Sequence, residues 1–205
     1  MNIEPSANDW SGLPGRLIVV SGPSGSGKTT IVRRVVARPD TKARLSISAT
    51  TRPPRPGEQH GREYFFHGRE AFEQARDRGE FLEWAEVHGN LYGTPAAPVR
   101  ESLAEGQCVV LEIDVQGGMQ VVERYPATVL VFVTTPDFAT LEERLRGRKT
   151  EDEATVARRL ENARREVAMG ANYHHKITHE DLDRAVDDLA SLLHRLGCGG
   201  PSSDA

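Results

Sequence analysis

Gly22, Pro23, Ser24, Gly25, Ser26, Gly27, Lys28, Thr29 and Thr30 crowd three glycines, one ammonium group and four hydroxyls into nine positions. Such a run weakens any helix or strand built through it, because glycine gives up the most backbone freedom on folding. As a nest it has a use. Glycine lets successive N–H groups turn inward around a phosphate, Lys28 brings a point charge to the outer phosphates, and Thr29 offers a hydroxyl to magnesium at a helix N-terminus. The spacing fits GxxxxGK[ST], and the apolar run 17–20 before it and the helical pattern 29–37 after it supply the context that motif needs. The competing reading is a glycine turn that happens to precede a lysine. With glycine at about 7% of residues, chance alone gives such a match roughly once in a hundred chains of this length.

Two further groups of residues suit the same chemistry. Val109-Val-Leu-Glu112-Ile-Asp114 is an apolar stretch ending in acid, and Asp114 could hold a metal ion or its waters beside Lys28 and Thr29. Taken alone it reads as a buried strand with a solvated end; beside Lys28 and Thr29 the metal role is the better reading. Arg52 and Arg55 stand three apart in a proline-stiffened loop, 51–57, so their guanidinium forks could converge on one phosphate with tyrosine hydroxyls completing the shell. A solvated loop with two surface arginines is the alternative.

These groups need a frame to hold them. Apolar runs at 17–20, 108–113 and 128–133 each lead into a helical pattern, the alternation of an α/β protein with a parallel sheet covered by helices on both faces. Segment 48–97 breaks the rhythm: strand-like stretches at 63–67 and 80–87 flank a helical one at 69–78, which reads as an insert. A charged helical stretch at 139–160 is interrupted at 147–150, where Thr150 suits a helix cap, and reads as a second mobile segment. Residues 1–15 and 197–205 lack periodicity and read as disordered tails. The body is then 16–196, with core parts 16–47, 98–138 and 161–196.

Composition narrows the partners. The 205 residues include 26 basic and 30 acidic ones, a formal charge of −4, which argues against binding nucleic acid or acidic lipid by bulk charge. No apolar stretch approaches the roughly 20 residues of a membrane span, and no leader for export is legible. Two cysteines make no disulfide framework; Cys108 and Cys198 read as reduced thiols in a cytoplasmic protein. No obligate protein partner is expected.

The segments SGPSGSGKTT, SATTRPPRPGE, GREY, EFLEWAEVHGNLYGT, LEIDVQGG and RLRGRKTEDEATVARRL follow one another in the order and spacing of the bacterial guanylate kinases, and the likeness runs from about Arg16 to Leu196. The resemblance implies a P-loop NTPase-like parallel sheet flanked by helices, with a nucleotide-monophosphate-binding insert (48–97) and a lid (139–160). It implies transfer of the γ-phosphoryl group of ATP to GMP, giving ADP and GDP, with Mg2+ as cofactor. By matching positions, residues 22–30 would bind ATP. Arg52, Arg55, Tyr64 and Tyr92 would grip the GMP phosphate; Ser48, Glu83 and Thr94 would read the guanine; Glu58, Glu112 and Asp114 would complete the GMP site. Magnesium would fall to Thr29 and, through water, to Asp114. Lys28 would be catalytic together with the lid arginines Arg144, Arg148 and Arg159.

The role of Glu83 follows from guanine's edge, where N1–H and the exocyclic amine are adjacent donors that a carboxylate accepts as a pair. Adenine presents an acceptor at N1, and a repelled polar group in a closed site costs roughly 1 to 3 kcal/mol, about ten- to hundredfold in discrimination. Two positions depart from the family: Lys149 stands where relatives have glycine in the lid joint, and His179 where they have an asparagine at the adenine end. Two other classes remain, a guanylate-kinase-like scaffold module that binds peptides and a related small-molecule kinase. The intact Lys28 and Thr29 argue against the first, and the joint presence of Tyr64, Glu83 and Tyr92 against the second. Use of dGMP stays open.

Overall fold

A computed structural model describes residues 10–87, 89–147 and 153–200 of the chain. In chain order the elements are β1 (Arg16–Ser21), α1 (Lys28–Val36), β2 (Ala43–Leu45), β3 (Ala49–Thr50), β4 (Phe65–Phe66), α2 (Arg69–Asp77), β5 (Phe81–Val87), β6 (Asn90–Pro95), α3 (Ala96–Ala104), β7 (Cys108–Glu112), α4 (Val115–Arg124), β8 (Val129–Thr134), α5 (Phe138–Arg146), α6 (Glu153–Met169), a short 3-10 turn, β9 (His175–Thr178) and α7 (Leu182–Arg195).

The three apolar runs become the middle of a five-stranded sheet ordered β2-β7-β1-β8-β9, every neighbouring pair parallel. Their residues divide by alternation, since successive side chains leave a strand on opposite faces. Ile18, Val20, Val110, Val131 and Val133 join a cluster with Ile31, Val35 and Leu189 under α1 and α7. Leu17, Val19, Val109, Leu111 and Leu130 join a second with Val99, Leu103 and Val121 under α3 and α4. Burial on both faces explains runs without polar interruption. The loops that leave the carboxyl ends of β1, β7, β8 and β9 gather at one edge, where open α/β sheets bind ligands.

The insert folds around its own small core. A four-stranded mixed sheet, β4-β3-β6-β5, packs Ala49, Phe81 and Leu91 against Phe72 of α2, whose ring stacks on Phe81 at 4.3 Å between centroids. A third cluster joins Leu141 and Leu145 of α5 to Val156, Leu160 and Ala163 of α6. The joint expected at 147–150 falls between these helices, and Arg148, Lys149 and Thr150 lie outside the described residues.

Two expectations are corrected. The thiols are not free: Cys108 and Cys198 form a disulfide across 90 residues, S–S 2.14 Å. Cys108 opens β7 and Cys198 follows α7, and both are buried in the cluster that α7 closes, a proximity that only the packing of α7 creates. The described parts of both tails are also ordered. Trp10 is buried against Tyr125, Gly15 N–H donates to the Leu103 carbonyl, Thr41 bridges to Gly199, and Gly200 N–H donates to the Asp40 carbonyl. One tryptophan and one cysteine are enough to anchor segments whose composition lacks any period. Residues 1–9 and 201–205 lie outside the described chain.

Candidate active site

The run after β1 forms a loop that opens α1 at Lys28, with Gly27 at a φ of 84° before the first helical turn. Residues 22–30 line a cavity of about 480 Å3, together with Arg55, Tyr64, Val87, Tyr92, Asp114, Arg159, Asn162 and Glu166. The loop backs onto α5, because a side chain on Gly25 would meet Leu141 and Leu145. Lys28 Nζ lies 3.6 Å from Glu112 Oε1, and the same oxygen accepts a short hydrogen bond from Thr29 Oγ1. The end of β7 therefore fixes both cationic and hydroxyl groups at the mouth of the loop.

Asp114 sits two residues further and caps α4, its Oδ1 accepting from Gly117 N–H at 2.8 Å. Glu112 thus holds both Lys28 and Thr29, and Asp114 lines the same cavity as they do. Hard oxygen donors of this kind suit magnesium, which keeps several of its own waters and takes one or two protein oxygens.

A second cavity, about 170 Å3, adjoins the first and is lined by Ser48, Glu83, Ala85, Gly93 and Ile113 besides Lys28, Tyr64, Val87, Tyr92, Glu112 and Asp114. Its floor is a cross-strand pair. The antiparallel register of β5 and β6 sets Glu83 opposite Thr94, and Thr94 Oγ1 donates to Glu83 Oε1 at 2.6 Å. Glu83 is 4% exposed. Burial pushes its carboxyl up to about 7, the Thr94 hydroxyl opposes the shift, and the charge of Asp114 adds to it. Gly117 completes the wall from α4, since a Cβ there would lie 2.6 Å from Glu83 Oε2.

The two loop arginines part company. Arg52 is held by Glu58 through both carboxylate oxygens, at 3.0 and 2.9 Å, and lies over the rings of Tyr64 and Phe66. Glu58 also accepts from the Arg55 N–H at 2.7 Å, and that bond, followed by Arg52, holds its carboxyl below the ordinary range. Arg55 faces the phosphate-loop cavity. Tyr64 and Tyr92 meet edge to face at 6.0 Å and border both cavities; burial raises the Tyr64 hydroxyl.

Of the arginines expected in a lid, Arg159 lines the phosphate-loop cavity, whereas Arg144 is not among its lining residues and is bound by His179. Arg148 lies outside the described residues. Arg146 pairs with Glu142 at 2.8 Å, the expected i,i+4 contact. Sequence reasoning missed Asn162 and Glu166, although positions 159, 162 and 166 share one helical face and the spacing could have shown it. Burial pushes Glu166 up to about 7, with Lys28 opposing and Asp114 reinforcing. The part of Gly117 was missed too; its only signal was a second glycine beside Gly118 in a helix.

The comparisons with known proteins agree along nearly the whole chain. The family model described as guanylate kinase matches residues 14–196. A guanylate kinase of Rubrobacter xylanophilus is 47% identical over 186 residues, 91% of this chain and 97% of the relative, and one of Thermotoga maritima is 45% identical over 181 residues, 88% and 87%. The crystal structure of guanylate kinase from Anaplasma phagocytophilum superposes with a TM-score of 0.73 at 30% identity, covering 89% of this chain and 86% of that one.

Proposed function

The chain belongs to the guanylate kinase family, and from that premise we propose how its residues divide the labour of transferring a phosphoryl group from ATP to GMP. It is an ATP:GMP phosphotransferase. The observation that carries the assignment of residues is that Lys28, Tyr64, Tyr92 and Asp114 border both cavities, so one lysine stands between a loop shaped for a triphosphate and a pocket shaped for guanine.

Residues 22–30 cradle the ATP phosphates, and Lys28 balances charge on the outer ones. Ser48, Glu83 and Thr94 read the base. Glu83 offers one oxygen already oriented by Thr94 and a second beside Gly117, matching guanine's two adjacent donors. Arg55, Tyr64 and Tyr92 face the acceptor phosphate, and Arg52 joins them by leaving Glu58 or by holding the loop through it.

The attacking atom is an oxygen of the GMP phosphate, already ionised at neutral pH, so no side chain has to act as base. It bonds to the γ-phosphorus of ATP while the bond from that phosphorus to the β–γ bridging oxygen breaks, and the electron pair leaves on ADP. Catalysis is then positioning and compensation of charge. Lys28 and Arg159 supply fixed positive charge, and Arg144 and Arg148 add theirs as α5 and α6 close over the loop and exclude water. Thr29, with Glu112 and Asp114 through water, would hold magnesium, which neutralises the β and γ oxygens when bound. Segments 48–97 and 139–160 serve as GMP-binding insert and lid around core parts 16–47, 98–138 and 161–196. No helix among the described residues is long and apolar enough to cross a membrane, and the nucleotide substrates favour the cytoplasm as the site of action. Burial of both sulfurs would shield the Cys108–Cys198 bond there from exchange with cellular thiols.

The test is coupled ADP release with ATP and magnesium, offering GMP, dGMP, AMP, CMP, UMP and no acceptor in parallel. Turnover confined to the guanine nucleotides is expected. Equal turnover with AMP would remove Glu83 from its role as reader of the base.

A further inference from the structure

His179 follows β9, where its backbone N–H donates to the Thr134 carbonyl at 2.7 Å. Its ring rests against the phosphate loop: a Cβ on Gly27 would lie 2.3 Å from Nδ1, too close for any side chain, so glycine at that position is what admits the imidazole. Nδ1 lies 2.7 Å from the Ser26 carbonyl oxygen and 3.0 Å from the Arg144 guanidinium, whose second nitrogen donates to the His179 carbonyl at 3.2 Å. The two contacts of Nδ1 make opposite demands. A carbonyl only accepts and requires a proton on Nδ1; a guanidinium only donates and requires a lone pair there. One neutral ring nitrogen serves one of them at a time.

We propose that His179 is a positioning residue for phosphoryl transfer, coupling the closing of the phosphate loop to the release of Arg144 through the tautomer of its ring. The proposal rests on the assignment of Arg144 to the transferred phosphates made above. With the proton on Nε2, Nδ1 keeps Arg144 against His179, where the structure shows it. With the proton on Nδ1, the ring is tied to Ser26 and the guanidinium retains only the His179 carbonyl. A triphosphate in the loop favours the second state, because a phosphate offers the guanidinium an opposite charge and two parallel hydrogen bonds, neither of which a neutral imidazole nitrogen can supply. As Arg144 leaves, Nδ1 takes a proton from solvent and Nε2 returns one, so net charge is unchanged and the loop carbonyl gains a donor.

The first readout is the tautomer itself. Nitrogen-15 spectra of the histidine rings should show the His179 proton move from Nε2 to Nδ1 when the β,γ-imido analogue of ATP and magnesium are added; an unchanged tautomer overturns the proposal. The second is a kinetic cycle of His179→Ala, His179→Asn and His179→Gln, each with Arg144 and with Arg144→Ala. An asparagine amide reaches the position of Nδ1 and can donate or accept there, while glutamine reaches that of Nε2. Alanine and glutamine are expected to lower kcat about ten- to hundredfold and raise KM for ATP with KM for GMP unchanged, asparagine to keep most of the activity, and the loss from alanine to vanish once Arg144 is gone. Equal loss in both backgrounds, or asparagine no better than alanine, overturns the coupling while leaving the role of Arg144 intact. An Arg144→Ala enzyme with full kcat would instead overturn the role of Arg144, and the proposal with it.

Discussion

The glycine-rich loop after β1 and the smaller cavity proposed for guanine lie side by side and are built on different terms. The loop comes from one stretch of nine residues, and most of what it offers is backbone N–H oriented by glycine. The pocket collects Ser48 from before β3, Glu83 from β5, Thr94 from β6 and Gly117 from α4, each contributing a side chain or the lack of one. A backbone site tolerates side-chain changes except at its few charged or hydroxyl groups. A side-chain site is exposed to every substitution and to pH, because the carboxyl of Glu83 in it is pushed by burial up to about 7.

The contrast breaks down soonest at Lys28, a cation that lines both cavities. Lys28→Ala should lower kcat about 100- to 1000-fold with little change in melting temperature, since among the described residues the side chain makes one ion pair, the 3.6 Å contact to Glu112; near-normal turnover would mean that the loop's backbone suffices. Glu83→Gln comes next. It trades a paired acceptor for one acceptor and one donor, and should cut the preference for GMP over AMP about ten- to hundredfold while KM for ATP stays put; a parallel rise in both KM values would show the two sites to be one mechanical unit.

Gly117→Ala sharpens the comparison at a position with no polar side chain. The added methyl meets Glu83 Oε2 at 2.6 Å, so the carboxylate must shift and KM for GMP should rise roughly tenfold. An unchanged KM would show that the carboxylate can move aside at no cost to recognition.

The smallest effect is titration. Glu83 is raised in the folded protein, so between about pH 4.5 and 7 the folded state keeps a proton that the unfolded chain has released, and stability falls as pH rises through that window. Glu166 acts in the same sense on the phosphate side. Denaturant melts across the window should show a decline of about 1 to 3 kcal/mol, reduced in Glu83→Gln and kept in part by Glu166. Guanine's donors favour the carboxylate, so GMP binding near pH 6 to 7 should release a proton, measurable as a buffer-dependent heat. A binding heat independent of the buffer would place Glu83 already ionised before GMP arrives.

Much of this was legible from local chemistry. The three apolar runs had to be sheet interior because no polar face interrupted them, and the loop after β1 declared its use through glycine spacing, Lys28 and Thr29. Glu83 and Thr94 could be named through resemblance to a family, but nothing in their spacing of eleven residues showed them as partners; the β5–β6 register did. Cys108 and Cys198 read as separate thiols for the same reason, being 90 residues apart and joined only where α7 lies down on the sheet. Trp10, in a segment without period, gave no hint of the hydrophobic floor it meets at Tyr125.

Sequence alone, then, determined the layered α/β core, the glycine-rich loop that opens α1 and the chemical types needed for phosphoryl transfer, because burial periodicity and glycine conformation act over a few neighbouring residues. Tertiary structure alone decided that Glu112 holds Lys28 and Thr29, that Gly117 makes room for Glu83, and that His179 divides one ring nitrogen between Ser26 and Arg144. Those contacts join residues between 34 and 153 positions apart, and a hydrogen bond or a close approach is set by distance in space, on which separation along the chain places no constraint.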